Sequence, residues 1–526
     1  MNSKIILCKN IKLDRNYVNV LNYTENEMLN LCNSNGIKIA EASDYSFIER
    51  NKKIRVNFTY NLCTQANYIA FQNPDYSNKW FFAFIDNIEF KGNMNTEISF
   101  TIDSWSTWFD YWSQKPCFVV REHVNDDTIW THTVPENLDV GEVIEEEFEE
   151  LEPIGDENSQ GYYFAIEGTY NPITDKDFIG VTKINGSVSG SWIFLFKAYS
   201  GSIGIPDINN FLADITSKSK IESIKNFYIL PSYIVDNIGT TPYSTSGQVF
   251  GNYTFYLLND SSSAITLTEL VDKITSFNGY TPKNKKCFCY PFNYMLVSNN
   301  VGNNIIYKYE DFIEVNPDYV FFEIQCAISV GGSVRLVPRQ YKNISYNYDE
   351  SLPLAKFPTC SWSSDAFTNW LTQNGVDIAT NIVSSAVQIG SGNIGSGASN
   401  IASLIGQFYK ADIMPSITGG NNTGDVNFAN RNNTFSVHHM RSSNEYMRII
   451  DDYFTRYGYK INRLKTPNIT GRRYWNYIEI GDSDIIGYGE VPTNYMENIN
   501  NACRKGVTIW HNHENIGDYN LSNTIV

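Results

Sequence analysis

KWFFAFIDNIEFKGNMNTEISFTID, residues 79–103, is the stretch on which the fold turns. Phe, Ile, Trp and Thr fill two runs, 79–90 and 96–103, in which apolar and polar side chains partly alternate, the period of a half-buried strand. The KGNMN between them is hairpin chemistry. Working outward, RVNFTY (55–60) reads as a further strand, so the first 120 residues are expected to be mainly β. Residues 161–350 repeat the pattern: GYYFAIEG, GSWIFLFKAY, NYTFYLLND and DYVFFEIQCAISV are short β-rich runs among Asn, Gly, Ser and Pro turns. Within that span DINNFLADITSKSKIESIKNFY (207–228) carries Ile208, Phe211, Leu212 and Ile215 at helical spacing and predicts a helix.

The last hundred residues hold the clearest helical punctuation. Ser442-Ser443-Asn444-Glu445 reads as a capping box opening a helix, with Tyr446, Ile449, Ile450, Tyr453 and Tyr457 inward and Gly458 as the stop. A second helix is expected from Thr493 to Lys505, with Arg504 and Lys505 placed for the helix dipole, Gly506 ending it and GVTIWH following as a strand. Between the two helices Lys460, Arg463, Lys465, Arg472 and Arg473 form the one basic cluster, suited to DNA or to carboxylates of a neighbouring subunit.

A chain of 526 residues is too long for one core and is expected to divide into two to four domains. Hydrophobic residues make up 42% and aromatics 14%, enough for substantial cores and incompatible with a disordered chain. The net charge of −17 argues against gripping the phosphate backbone of nucleic acid over the whole surface. Fourteen acidic residues and one basic one fall within 121–160, centred on EVIEEEFEELE (142–152). Such a run is either a solvated face or linker, or a surface that must not hold a polyanion. The nine cysteines, Cys8, Cys32, Cys63, Cys117, Cys287, Cys289, Cys326, Cys360 and Cys503, are scattered and odd in number, and read as free thiols. Cys287 and Cys289 lack the second pair that a structural zinc site needs, so packing is the better reading.

The N-terminal apolar run is too short for a signal peptide, and no stretch of 18 consecutive apolar residues occurs. Yet from Ile378 to Tyr409 there are 32 residues without one charged side chain, in a chain where 18% are charged. Ile378, Ile382, Val383, Val387 and Ile389 follow a helical spacing that begins at Phe367, Trp370 and Leu371. A second set follows at Ile401, Leu404, Ile405 and Phe408, and GSGNIGSG (390–397), which contains Ile394, lies between. The expected structure is two helical arms joined by a Gly/Ser tip, serving either as a hairpin in the protein's own core or as a segment that enters a membrane.

Three patterns suggest chemistry. Gly390, Gly392 and Gly395 match GxGxxG, but SSAVQI upstream continues a helix rather than forming the strand that a dinucleotide site requires. His123 with Asp127, and His511 with His513, reproduce the HxxxD and HxH patterns with which lysostaphin-type peptidases hold zinc. Those enzymes keep both motifs in one compact domain, whereas here most of the chain separates them. No HExxH, serine elbow or Cys/His signature occurs in its expected setting.

Both ends of the chain resemble the distal tail-knob proteins of small short-tailed bacteriophages of the Picovirinae type. NYIAFQNPDYSNKWFFAF (67–84), FVVREHV (118–124), YGYKINRLKTPN (457–468), Trp475-Asn476-Tyr477 and GVTIWHNHENIGDYN (506–520) carry the likeness, in the same order along the chain. It covers roughly residues 50–135 and 430–526. The resemblance implies a homohexameric tube at the tail tip through which double-stranded DNA leaves the virion. It also implies a long hydrophobic, Gly-rich loop that plugs the channel and helps to breach the host membrane. The charge-free segment stands in that place, although it is poorer in Met than the family's loop.

The expected architecture is mainly β, of α+β class: a tube domain from 1–135 and 426–526, an inserted β-rich knob domain over 136–365, and a hydrophobic pore loop over 366–425. The expected role is structural, at the distal end of the virion tail after assembly in the host cytoplasm. The expected partners are five further copies, upstream tail and collar proteins, passing DNA, and the host envelope and membrane. No enzyme activity, cofactor, metal or small-molecule substrate is expected. Because a basic lumen would hold DNA at many points, an acidic or neutral one is expected, with part of 142–152 as its candidate acidic lining: Glu142, Glu145, Glu146, Glu147, Glu149 and Glu150. The alternatives are a cell-wall peptidase with zinc on His123, Asp127 and His513, and a receptor-binding module with exposed aromatics clustered in 161–350.

Overall fold

The computed structural model describes residues 3–43, 45–48, 52–72, 77–151, 162–184, 187–198, 207, 210–211, 214–215, 217–231, 241–242, 255–257, 265–300, 302–313, 318–326, 333–356, 359–361 and 435–526. The pore-loop residues Ile378, Ile382, Val383, Val387, Ile389, Ile394, Ile401, Leu404, Ile405 and Phe408 lie outside them, as does the GxGxxG stretch.

Strands dominate. The opening hairpin is formed by Trp80–Gly92 and Asn95–Ile102, closed where Gly92 faces Asn95. It sits inside a seven-stranded sheet ordered Lys38–Ala42, Lys4–Cys8, Tyr68–Gln72, Trp80–Gly92, Asn95–Ile102, Lys53–Val56, Tyr45–Ile48, with every neighbouring pair antiparallel. Both faces of its central strands are buried, which is why WFFAF is apolar at every position. Phe82 and Phe84 join Ile6, Tyr68, Trp475 and Trp510 on one side; Phe81 and Ala83 join Ile5, Ile69, Phe71 and Phe100 on the other.

A five-stranded sheet is ordered Asn19–Leu21, Val507–Trp510, Trp475–Ile480, Cys117–Glu122, Tyr459–Lys465. Its first pair is parallel and joins the two ends of the chain, Asn19 to Thr508 and Leu21 to Trp510. Trp475 and Trp510, buried with ring centroids 5.0 Å apart, bring this sheet into the core of the first.

The chain divides into two compact units. One is built from Met1–Val143, Thr275–Phe292 and Ser442–Val526; the other from Ile144–Ile274 and Asn293–Arg441. Residues 275–292 thus belong with the terminal segments, although the sequence assigned them to the inserted domain. The second unit contains a six-stranded sheet centred on Trp192–Ala198, Tyr162–Gly168 and Ile224–Pro231, and a five-stranded one built on Ile265–Asp272, Tyr319–Cys326 and Ser333–Tyr341. In a four-stranded sheet Val143–Leu151, the acidic strand, is at the edge beside Phe435–Ser442, followed by Asn293–Ser298 and Asn304–Tyr307.

Several expectations need correction. The helix expected over 207–228 stops short: the described residues up to Ser217 are helical and bury Phe211 and Ile215, but Ile224–Pro231 is a strand paired with Tyr162–Gly168. RVNFTY leaves the sheet at Val56, and Tyr60–Cys63 is a helical turn. The helix Glu25–Asn33 was not foreseen, though its signal is present: Thr24 and Glu27 form a reciprocal capping box. By contrast the box expected at 442–445 does not form; Ser443 begins the helix Asn444–Tyr457 without a side-chain cap bond. That helix turns Met447, Ile450, Asp451, Phe454 and Thr455 inward and leaves Ile449 61% exposed, so only Ile450 of the expected inner set is buried. Thr493–Lys505 and the strand after it fall where the punctuation put them.

Candidate functional site

The acidic strand is where sequence and structure meet most directly. Glu142, Glu145, Glu147 and Glu150 are exposed, while Glu146 and Glu149 are half-buried. Three carboxylates are tied to cations or imidazoles of Phe435–Ser442: Glu145 to His438 Nδ1 at 2.5 Å, Glu149 to His439 Nε2 at 2.8 Å and Glu146 to Arg441 Nε at 2.5 Å. His439 is fully buried and also bonded through Nδ1 to the Tyr309 hydroxyl. Part of the strand's charge therefore fastens an edge strand to its sheet, a use that no count of acidic residues reveals.

The first unit contains two buried polar centres. Glu136 is bound by Arg121 and by Lys286 Nζ at 2.5 Å, and accepts the Lys460 backbone N–H at 2.9 Å. Burial alone would raise its pKa, but Lys286 and Arg121 hold it below the ordinary carboxylate value. Asp451, on the inner face of the helix Asn444–Tyr457, accepts the Tyr280 hydroxyl at 2.7 Å, the backbone N–H of Lys283 at 2.8 Å and of Asn284 at 3.0 Å, and the Asn284 side-chain amide at 2.8 Å. Both centres anchor segment 275–292. Sequence reasoning missed them because Lys286 and Glu136, like Asn284 and Asp451, come from distant parts of the chain; the one local clue is an Asp in phase with Met447, Ile450 and Phe454.

The histidines assigned to a zinc site serve the backbone instead. His123 Nδ1 accepts the Tyr477 N–H at 2.7 Å and Nε2 donates to the Thr455 carbonyl at 3.1 Å, leaving neither nitrogen for a metal. Burial, with the charges of Arg472 and Arg121, pushes its pKa down to about 3. Asp127 accepts the Tyr459 hydroxyl at 2.6 Å, and His513 Nε2 accepts the Lys12 N–H at 3.1 Å. Among the described residues no group of three or more His, Cys, Asp or Glu side chains is placed to hold a metal ion. Seven of the cysteines, Cys287 and Cys289 included, are buried thiols outside any disulfide.

The basic cluster is dispersed. Lys465 is bound to buried Glu122, Arg472 is buried, Arg473 lies 5.4 Å from the Tyr474 ring centroid, and Arg463 is exposed on Tyr459–Lys465, a sheet edge. Among the described residues no helix is long and apolar enough to cross a membrane.

The described residues form mostly antiparallel sheets, one of which carries the parallel pair Asn19–Leu21 with Val507–Trp510, and their buried charges join distant segments of chain. The fold is that of the bacteriophage C1 tail knob protein gp12, with a TM-score of 0.59 over 100% of both chains at 14% identity. The family described as the C-terminal domain of the Bacillus phage phi29 tail knob protein gp9 matches residues 255–524, just over half of the chain, and the N-terminal part of caudoviral major tail proteins matches residues 1–113. The chain belongs to the tail knob protein gp9 family, and is thus a component of the virion tail. Curated relatives are tail knob protein gp9 of Bacillus phage phi29, 26% identical over 93% of this chain and 92% of its own length, and that of Bacillus phage B103, 25% identical over 95% and 92%.

Proposed function

We propose that the chain forms the wall of a homohexameric conduit at the distal end of the tail, through which double-stranded DNA leaves the virion, and that residues 378–409 plug this conduit and then engage the host membrane. Tail knob relatives matched over nearly the whole chain support the structural role. The observation that carries the finer reading is the charge-free run of 32 residues at Ile378–Tyr409. Uncharged arms can gather around a symmetry axis without like-charge repulsion, and leave it when a bilayer offers Ile and Phe another solvent. DNA carries one charge per roughly 1.7 Å of axis, so exposed Glu147 and Glu150 would let it slide where Lys or Arg would hold it. The assembly takes place in the host cytoplasm and joins upstream tail and collar proteins, with no catalytic step.

Deleting 378–409 tests the reading. Light scattering is expected to report a ring of about six copies with and without the segment, while the deletion abolishes liposome permeabilisation and makes particles leak DNA or fail at entry. Fully infectious, tight particles carrying the deletion would overturn the plug, and a chain that stays monomeric at virion-like concentration would overturn the ring.

A further inference from the structure

Three arginines are buried among the described residues: Arg121, Arg441 and Arg472. Two stand against carboxylates, Arg121 on Glu136 and Arg441 on Glu146. Arg472 makes no ion pair among the described residues. Its Nη2 donates to the Val124 carbonyl at 2.9 Å, its Nη1 reaches the Asn523 carbonyl at only 3.4 Å, and its buried Nε has no partner there. Asp127 acts on it through space but is itself held by the Tyr459 hydroxyl and the Lys285 backbone N–H. A guanidinium removed from water with no anion against it is costly, and buried charges in folded proteins are paired as a rule.

Beside this arginine lies a cavity of about 220 Å³ whose lining includes Arg472, Lys283, His123, Asn284, Ser522 and Thr524. Among the described residues no acidic side chain lines it. Lys283 is exposed and uses its backbone N–H, not its ammonium group, on Asp451. His123 brings no charge, because its Nδ1 accepts the Tyr477 N–H. The lining therefore offers two cations and hydroxyl donors and lacks the counter-charge that the other two buried arginines possess.

We propose that this cavity is a binding site for an oxyanion, a carboxylate or phosphate group, held between the Lys283 ammonium and the Arg472 guanidinium with the hydroxyls of Ser522 and Thr524 at its mouth. Nη1 and Nη2 of Arg472 each carry a second N–H beyond their carbonyl contacts, which can serve two oxygens of such a group, and the Lys283 ammonium supplies the further charge. The oxygens can arrive on a free ion or on a side chain of a second copy of this chain; the recognising chemistry is the same.

The test uses the purified full-length protein, titrated with inorganic phosphate and separately with malonate at ionic strength matched by chloride. A saturable rise in melting temperature is expected, because ligand binding to the folded state alone stabilises it. Lys283→Ala, an exposed change, is expected to weaken phosphate binding about tenfold, as loss of one charge-assisted contact does. Ser522→Glu, which supplies a tethered carboxylate, is expected to raise the melting temperature without added anion and to remove the phosphate response. Two concentrations, one at which light scattering reports single chains and one at which it reports assemblies, separate the sources: a response confined to single chains assigns the site to a neighbour's carboxylate, and an equal response in both assigns it to a free ion. No wild-type response beyond chloride overturns the site, as does a Lys283→Ala affinity equal to wild type, or a Ser522→Glu protein that melts and responds as wild type does.

Discussion

At His123 one imidazole ties three segments of chain together, and it does so only while neutral. Its folded pKa of about 3 lies below the unfolded value near 6.5, so the stability it contributes is complete above pH 6.5 and is lost as the pH falls toward 3. His511 and His513 are lowered in the same direction by burial. The urea midpoint of the wild type is expected to fall between pH 7 and pH 5 by the equivalent of a few kcal/mol, and the fall is expected to shrink in His123→Gln. Equal midpoints at the two pH values would refute this account. Gly458 is the neighbouring constraint: its φ of 64° favours glycine, and an added Cβ would sit 2.2 Å from the Glu122 carbonyl oxygen. Gly458→Ala is expected to cost roughly 1–3 kcal/mol or more, read as a lowered denaturation midpoint. The glycine was legible in the sequence as a helix stop, but the carbonyl that forbids a side chain there was not, since Glu122 belongs to a strand near the other end of the chain.

Among elements, those whose pattern is local were legible and those fixed by distant partners were not. The hairpin 80–102 and the helix 493–505 carry their own periodicity and punctuation. The helix 444–457 was found at its ends but rotated in the reading, because the apolar count favoured Tyr446, Ile449 and Tyr453 over a face containing Asp451. What turns it is the hydrogen-bond set that Asp451 offers to Tyr280, Lys283 and Asn284. Asp451→Ala removes the acceptor of the buried Asn284 backbone N–H, although the Asn284 amide keeps Thr455 Oγ1 and the residue 451 carbonyl, and is expected to destabilise by about 3 kcal/mol, measured as a shift in urea midpoint; a surface-like change under about 0.5 kcal/mol would show that the segment 275–292 is held otherwise. For the acidic strand the sequence told its charge and not its partners, since His438, His439 and Arg441 stand on a strand that follows the whole inserted region. Arg441→Gln is expected to remove the cation that faces the Glu146 carboxylate, on a side chain only 6% exposed in an otherwise half-buried residue, and to destabilise the second unit's four-stranded sheet by a few kcal/mol, seen as faster amide exchange in 143–151 than in the wild type.

For the whole molecule, mainly β architecture and membership of the tail knob family were readable from strand-rich runs and the motifs at both ends. The division into units was only partly so, since a cut at 275–292 has no compositional mark. The candidate conduit makes its own demand on charge: Glu147→Lys combined with Glu150→Lys is expected to slow DNA ejection from otherwise intact particles, in a manner relieved by added salt. Unchanged ejection would place these carboxylates away from the path.

The parallel pairing of Asn19–Leu21 with Val507–Trp510 sets a timetable for biosynthesis. The strand that Asn19–Leu21 needs is translated long after it, and Trp475 and Trp510 complete a core whose other wall, with Ile6, Tyr68 and Phe84, leaves the ribosome well before them. A nascent chain therefore carries Ile6, Tyr68 and Phe84 partly uncovered through most of its translation, so chaperone occupancy is expected to peak before the codons for Trp475 and Trp510 are read. A product terminated before Val507 lacks the partner of Asn19–Leu21 and the Trp510 ring of this core, and is expected to be proteolysed faster than the full chain.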